Sequence, residues 1–447
     1  MSIVTEDKFA EVKQRFHTLF EATAANLNGL KKQPLFAIRK NAIEQLQNLD
    51  FPTRRDEDWK YTALTRVLAP NYVERSTVDL TAEDIEPYLL KENNPFRLVF
   101  INGQYHHTLS SAFDDTPKGM TILPTAAALQ HDDFKEQANE LLNTWNTEAG
   151  RTLVKLNDAF ATGGVFIHVA KNVVIERPIQ FLYLQHATDQ PFFFNPQILL
   201  TTETSSSVTI VETYYNHQSV AGTPYWGNAA VRVKVGANAQ VKHYKFQTES
   251  LDAFQTTNTE VTQERDSTYS GYTFDLGGRL VRNNLSVWLK DQATHTDMYG
   301  VYLGHEQQHI DNQTFIDHAY PNCDSNELYK GILTDKAVGV FNGKVMVRQD
   351  AQKTNAFQQN SSLVLSDSAK MDTKPQLEIF ADDVKCSHGA TIGQLEQDSI
   401  YYLQTRGLSE ERAKSLLQVA FLSEVLEAVK LEDLHEQIEN AISTKLA

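Results

Sequence analysis

The chain has 447 residues, too many for one compact core, so two or three folding units are expected. Its composition is ordinary for a globular protein, 41% hydrophobic and 22% charged, and its formal charge of −16 argues against nucleic acid or an anionic membrane as partner. Two cysteines, Cys323 and Cys386, are too few for a disulfide-stapled secreted protein or a self-contained four-cysteine metal site, and no apolar leader or spanning run appears, so a cytoplasmic protein is expected.

The N-terminal part reads as helical. Phe9, Val12, Phe16, Leu19, Phe20, Ala24 and Leu27 recur at spacings of three and four, the pattern of one buried helix face. A second helix carries Leu35, Ile38, Ala42, Ile43 and Leu46 and opens near Pro34. The charged run from Arg54 to Thr62 then reads as a solvated loop with Trp59 and Tyr61 pinned on the core. Residues 125–160 return to helix. From about Gly164 the texture changes to short β-prone runs, among them Ile179–Leu184, Val208–Tyr215, Val241–Phe246, Tyr269–Phe274 and Leu377–Phe380. Small polar residues sit in the gaps, for example Gly236-Ala237-Asn238, Gly277-Gly278 and Phe341-Asn342-Gly343. So many short strands with so little helix suit a solenoid, with Tyr244, Phe246, Tyr272, Tyr299 and Tyr302 stacking between coils, although a large barrel or propeller fits the irregular period too.

The C-terminus is helical again. Ser409 is placed to cap a helix that begins with Glu410 and Glu411, and Ala413, Leu416, Leu417, Ala420, Phe421 and Val425 follow at helical spacing. Leu422, Leu426 and Val429 widen that apolar face, which then either packs within the chain or meets a partner. The expected units are residues 1–160, mainly helical, 161–400, the β core, and 401–447, helical.

Two motifs bear on chemistry. His305-Glu306-Gln307-Gln308-His309 matches the zinc-protease string, and Glu327 downstream offers a third ligand. That chemistry needs both histidines one turn apart on a helix, whereas Gly304 and the β-prone Tyr299–Leu303 precede them, so the match reads as accidental. His295, His305, His309 and His318, beside Asp297, Asp311 and Asp317, read as a polar ladder on strands rather than a metal site. Cys386-Ser387-His388 is quieter: on extended backbone, residues two apart share a side, and thiolate and imidazole are both iron or zinc ligands. Two ligands cannot complete a tetrahedral site, and Asp382 and Asp383 just before them oppose thiolate formation. No phosphate-binding loop, dinucleotide fingerprint or nucleophile elbow is present. A β-helix carbohydrate-active enzyme is the alternative from another class.

Three blocks in order carry a resemblance. They are His309 to His318; Phe341 to Val347 leading into Ala351 to Asn360; and Leu377 to Gly393 running into Tyr402 to Gly407. Together they resemble the SufB/SufD family of the SUF iron–sulfur cluster assembly system, and Arg55 to Thr62 resembles the N-terminal signature of its SufD branch. The resemblance implies a right-handed parallel β-helix flanked by N- and C-terminal helical domains. It also implies a non-catalytic scaffold that pairs with a SufB-like subunit and docks a SufC-like ATPase through Leu416, Leu417, Ala420, Phe421 and Val425. By the same resemblance the iron–sulfur cluster is transient and shared with the partner subunit, absent from the isolated chain, and met on this side by His388 with Cys386 as neighbour or second ligand. A homodimer of the chain alone is left open.

Overall fold

The β-prone runs after residue 164 wind into one parallel β-helix of about eight turns. A computed structural model describes residues 6–25, 33–73, 78–161, 163–186, 188–218 and 222–446. In chain order the strands are β1 (Phe96–Ile101), β2 (Gln104–Tyr105), β3 (Met120–Pro124), β4 (Val165–Val169), β5 (Ile179–His186), β6 (Phe192–Phe194) and β7 (Gln197–Thr202). Next come β8 (Ser207–Gln218), β9 (Tyr225–Val235), β10 (Gln240–Gln247), β11 (Ala253–Gln263), β12 (Thr268–Asp275), β13 (Leu280–Leu289) and β14 (His295–Gly304). The last are β15 (His309–His318), β16 (Asp324–Leu333), β17 (Val338–Val347), β18 (Asn355–Val364), β19 (Lys370–Ile379) and β20 (Lys385–Gly393). From β7 onward successive strands alternate between two facing ten-stranded sheets, so each coil adds one rung to both; β20 ends one sheet and β19 the other. Strands of the N-terminal part extend both sheets, β1 pairing with β5 in parallel and β3 with β4 antiparallel.

Alternation along each strand sorts the side chains. Inward-facing Ile210, Tyr269, Met298, Tyr329 and Leu333 of one sheet share a core with Val231, Val261, Leu285, Ile316 and Phe341 of the other. Polar groups are buried in that same interior, several of them paired: His243 bonds Glu212 at 2.7 Å, and the Lys245 ammonium donates to Asp275 at 3.0 Å. The outer faces are covered in part: several strands are buried on both sides over most of their length, whereas the first halves of β14, β16 and β18 alternate between buried and more exposed positions.

Helices supply the cover. In the N-terminal part these are α1 (Glu6–Ala25), α2 (Pro34–Leu46), α3 (Ala82–Ile85), α4 (Thr125–Ala128), α5 (Lys135–Asn143) and α6 (Arg151–Phe160). Phe16 and Phe20 of α1 and Leu153, Leu156 and Phe160 of α6 pack on Phe193, Trp226 and Phe254 of one sheet's outer face. Leu27 lies outside the described residues. At the other end come α7 (Gln397–Thr405), α8 (Glu410–Leu426) and α9 (Glu432–Leu446). Ser409 caps α8, its hydroxyl accepting from the Arg412 N–H. Leu422, Val425 and Leu426 then close over Phe246, Phe274, Leu303 and Ile332, each fully buried side chain contributing about 1.5–3 kcal/mol. Among the described residues no helix is long and apolar enough to cross a membrane.

The expected aromatic stack forms on this outer face, Tyr244 on Tyr272 with centroids 4.3 Å apart and Tyr272 on Tyr299 at 5.3 Å. Tyr302 does not join it; its phase points it into the interior, where Asn360 donates to its hydroxyl. Phe246 meets Tyr215 edge-on instead. One expected turn is corrected: Phe341-Asn342-Gly343 lies inside β17. The glycine there marks a close approach, since a Cβ on Gly343 would sit 2.2 Å from Nε2 of Gln358 on the facing sheet.

The charged run before Thr62 is more than a solvated loop. Trp59 is buried, and the guanidinium of Arg282 lies 3.6 Å from its ring centroid. Arg282 also donates to the Asp58 carbonyl and to Asp311, while Thr62 bonds both Asp311 and His309. This segment therefore latches the N-terminal part onto β13 and β15.

Candidate functional site

Cys386 and His388 lie on β20, the last strand of its sheet, and most of that strand is exposed. Cys386 pairs in register with Ala356 and packs with Val345, Val347 and Ala351, residues lining the end of the interior. Two residues on, His388 occupies the same face and is exposed to solvent. Burial pushes the Cys386 thiol above its ordinary range, which keeps it protonated and a poor ligand until a metal or base removes the proton. Asp383, at the preceding turn, pairs with Lys353. The other cysteine, Cys323, is fully buried in the β-helix interior.

Beneath His388 the interior is polar. On one sheet Glu327 pairs in register with Gln358, and Gln358 with His388. On the facing sheet Thr314 pairs with Gly343, and Gly343 with Pro375. Glu327 is buried, and its two carboxylate oxygens accept from the Thr314 hydroxyl at 2.6 Å and from Nε2 of Gln358 at 3.1 Å. Burial carries its pKa up to about 7, against the lowering effect of those two donors. Sequence reasoning met Glu327 only as a third zinc ligand and passed over Gln358 and Thr314. The signal was there in phase: Glu327 is in step with inward-facing Tyr329 and Leu333, and a carboxylate at such a position must be held by donors.

The zinc-protease arrangement is excluded by its backbone. His305 and Glu306 form the turn between β14 and β15, Glu306 in the left-handed region at φ 51°, and His309 begins β15. Glu327 points into the interior, while His309 bonds Thr62 on the outer face of the other sheet. The remaining ladder residues are also spoken for: His295 pairs with Asp297 at 3.0 Å, Asp317 with Arg348 at 2.7 Å, and buried His318 bonds Ser325 at 2.9 Å. Among the described residues no group of three or more metal-ligating side chains comes together. The expected docking face of α8 is divided. Val425 is buried against the β-helix, Leu417 and Phe421 are half-buried, and Leu416 and Ala420 are exposed. Phe421 is tied to the core through Lys330, which donates to its carbonyl at 3.0 Å and pairs with Glu424. Tyr401 and Tyr402 of α7 add exposed aromatic surface beside it.

Comparison with known proteins agrees with this architecture. Residues 183–421 match the family described as "SUF system FeS cluster assembly, SufBD core domain", and residues 10–181 match "SufBD protein N-terminal region". An iron–sulfur cluster assembly SufBD family protein of Synechocystis is 34% identical over 426 residues, covering 94% of this chain and 93% of that protein. The iron–sulfur cluster assembly protein SufD of Escherichia coli is 28% identical, with 97% and 96% covered, and SufD of Bacillus subtilis is 28% identical, with 92% and 93% covered. With its β-helical core and its N-terminal region both matched, the chain belongs to the SufB/SufD family of the SUF iron–sulfur cluster assembly system.

Proposed function

We propose that this chain is a non-catalytic scaffold subunit that pairs with a SufB-like subunit through the open end of its β-helix and helps hold the nascent cluster there. The observation that carries the reading is the uncovered edge at β19 and β20. Edge strands of soluble proteins are usually blunted or covered, yet here Ile379, Phe380 and Ile392 are 40%, 63% and 53% exposed beside His388. A second chain adding strands at that edge would bury this surface and bring its own side chains to the imidazole. His388 is then a half-site, and the ligands this chain lacks come from the partner. The cluster is the product of assembly, transient and shared across the interface. Cys386, packed and protonated, is the neighbour of that site, and becomes a second ligand only on losing its proton.

The SufC-like ATPase is assigned to the exposed surface of α7 and α8, at Tyr401, Tyr402, Leu416 and Ala420. Of the docking residues expected from the sequence, Leu417 and Phe421 contribute their edges, and Val425 serves the chain's own core. ATP hydrolysis belongs to that partner.

The test is anaerobic cluster assembly on the co-purified complex. His388→Ala is expected to leave complex formation intact and lower cluster yield by about tenfold or more, at least the loss that follows removal of a ligand's hydrogen-bond partner. Cys386→Ala is expected to cost less. Full yield from His388→Ala would remove the site assignment while leaving the scaffold role.

A further inference from the structure

One rung before His388, the β-helix interior holds a buried side chain with an unsatisfied end. Gln358 is 3% exposed and hydrogen-bonded at one end only. Its Nε2 donates to Glu327 at 3.1 Å, and its Oε1 has no hydrogen-bond partner among the described residues. The anchor sets the orientation: the ionised Glu327 carboxylate only accepts, so the amide nitrogen of Gln358 faces it and the oxygen faces away. Thr314 donates to the other carboxylate oxygen, which fixes the anchor, and the missing side chain of Gly343 leaves room for the amide. A buried amide oxygen left without a donor destabilises the fold unless something supplies one. The next rung is His388, in register on the neighbouring strand, about 4.8 Å away across the ladder.

We propose that Gln358 is a positioning residue for His388, its amide anchored on Glu327 and its Oε1 accepting a ring N–H, so that the other ring nitrogen faces outward with its lone pair free. This deepens the reading of His388 as a ligand and rests on it. Neutral imidazole has two tautomers, and the hydrogen bond made by one nitrogen decides which nitrogen can bind a metal. Among the described residues no other group bonds the ring of this exposed histidine to make that choice. The Glu327–Gln358 pair thus selects the tautomer before any metal arrives.

The test reads the ring directly. In the isolated full chain labelled with nitrogen-15 histidine, His388 is assigned by the signals lost in His388→Gln. The wild type is expected to show one dominant tautomer, and Gln358→Leu is expected to return the ring to the mixture of a free imidazole. Exchanging the pair, Glu327→Gln with Gln358→Glu, keeps an anchored acceptor beneath the ring and is expected to restore the bias. An unchanged tautomer in Gln358→Leu overturns the proposal. Should that variant fail to fold, Gln358→Met decides, because it keeps the length of the side chain and removes the amide acceptor; an unchanged bias there overturns it equally. In the assembled complex Gln358→Leu is expected to lower cluster yield about tenfold. Full yield from His388→Ala would instead overturn the ligand reading beneath the proposal, a failure distinct from an unmoved tautomer.

Discussion

Replacing Arg282 with alanine is expected to lower the unfolding free energy by about 3–5 kcal/mol, the range for stripping one partner from a buried ion pair. Arg282 and Asp311 are both fully buried, and the pair is completed by the Asp58 carbonyl, the Thr62 hydroxyl and the face of Trp59. Among the described residues the alanine variant leaves the buried Asp311 charge with Thr62 and Gln313 as its side-chain donors. Chemical denaturation of the variant gives the magnitude. Limited proteolysis distinguishes loss of the latch from loss of the whole fold, because the segment before Thr62 should become cleavable while the coils stay protected. The companion Asp311→Asn should cost less than Arg282→Ala, since a guanidinium stacked on an indole keeps some compensation. Equal unfolding free energies for Arg282→Ala and the wild type would mean that the latch contributes nothing to stability.

The second large effect concerns pH. Glu249 is buried, its pKa carried from 4.5 up to about 8 by loss of hydration, which nearby Lys245 only partly offsets. In the unfolded chain this acid gives up its proton near 4.5, whereas in the folded chain it holds it to about 8. The folded state therefore binds the extra proton between those values, and stability falls as pH rises through that window. Glu249→Gln, which keeps the shape and can still bond Gln255, removes the penalty. The variant is expected to gain over the wild type progressively from pH 5 to pH 8, reaching a few kcal/mol at the top, on the order of 3–5 by the usual conversion of a pKa shift. Glu327 slopes the same way with its pKa near 7. His318, lowered to about 4, slopes oppositely below its ordinary 6.5, and Lys445, lowered to about 7, slopes oppositely above 7. The difference between variant and wild type, followed by urea denaturation at each pH, isolates Glu249. A difference that does not change with pH would show that the acid is not buried protonated.

Much of the fold was legible because β-branched and aromatic runs recur between small polar turns, and the helical stripes at both ends are regular. Two of the strands that escaped notice share a cause. In β11 the inward positions include Gln255, Thr257 and Thr259, and in β16 Ser325 and Glu327 precede Tyr329. Their interior is polar, so alternation loses its contrast just where the strand is most buried. Phe341-Asn342-Gly343 looked like a turn because glycine in a strand signals either a break or a close approach, and only the facing Gln358 tells which. The site was half legible. Cys386 and His388 share a face as extended backbone requires, but their supports, Gln358 and Glu327, lie one and two coils earlier in the chain. That juxtaposition depends on the stacking register, which no local pattern encodes. Val425 was assigned to a docking face for a similar reason: helical spacing finds the apolar stripe without saying which part of it the β-helix covers.

The stack of coils is quasi-one-dimensional, each coil drawing its stability from those beside it. The coil formed by β19 and β20 has a neighbour on one side only. It is the natural place for fraying to start, and also the place where an incoming strand lengthens the array instead of merely touching it. Folding of this end and association with a second chain are then linked equilibria, so that the ligand-bearing strand reaches its full rigidity only once the assembly that needs it has formed.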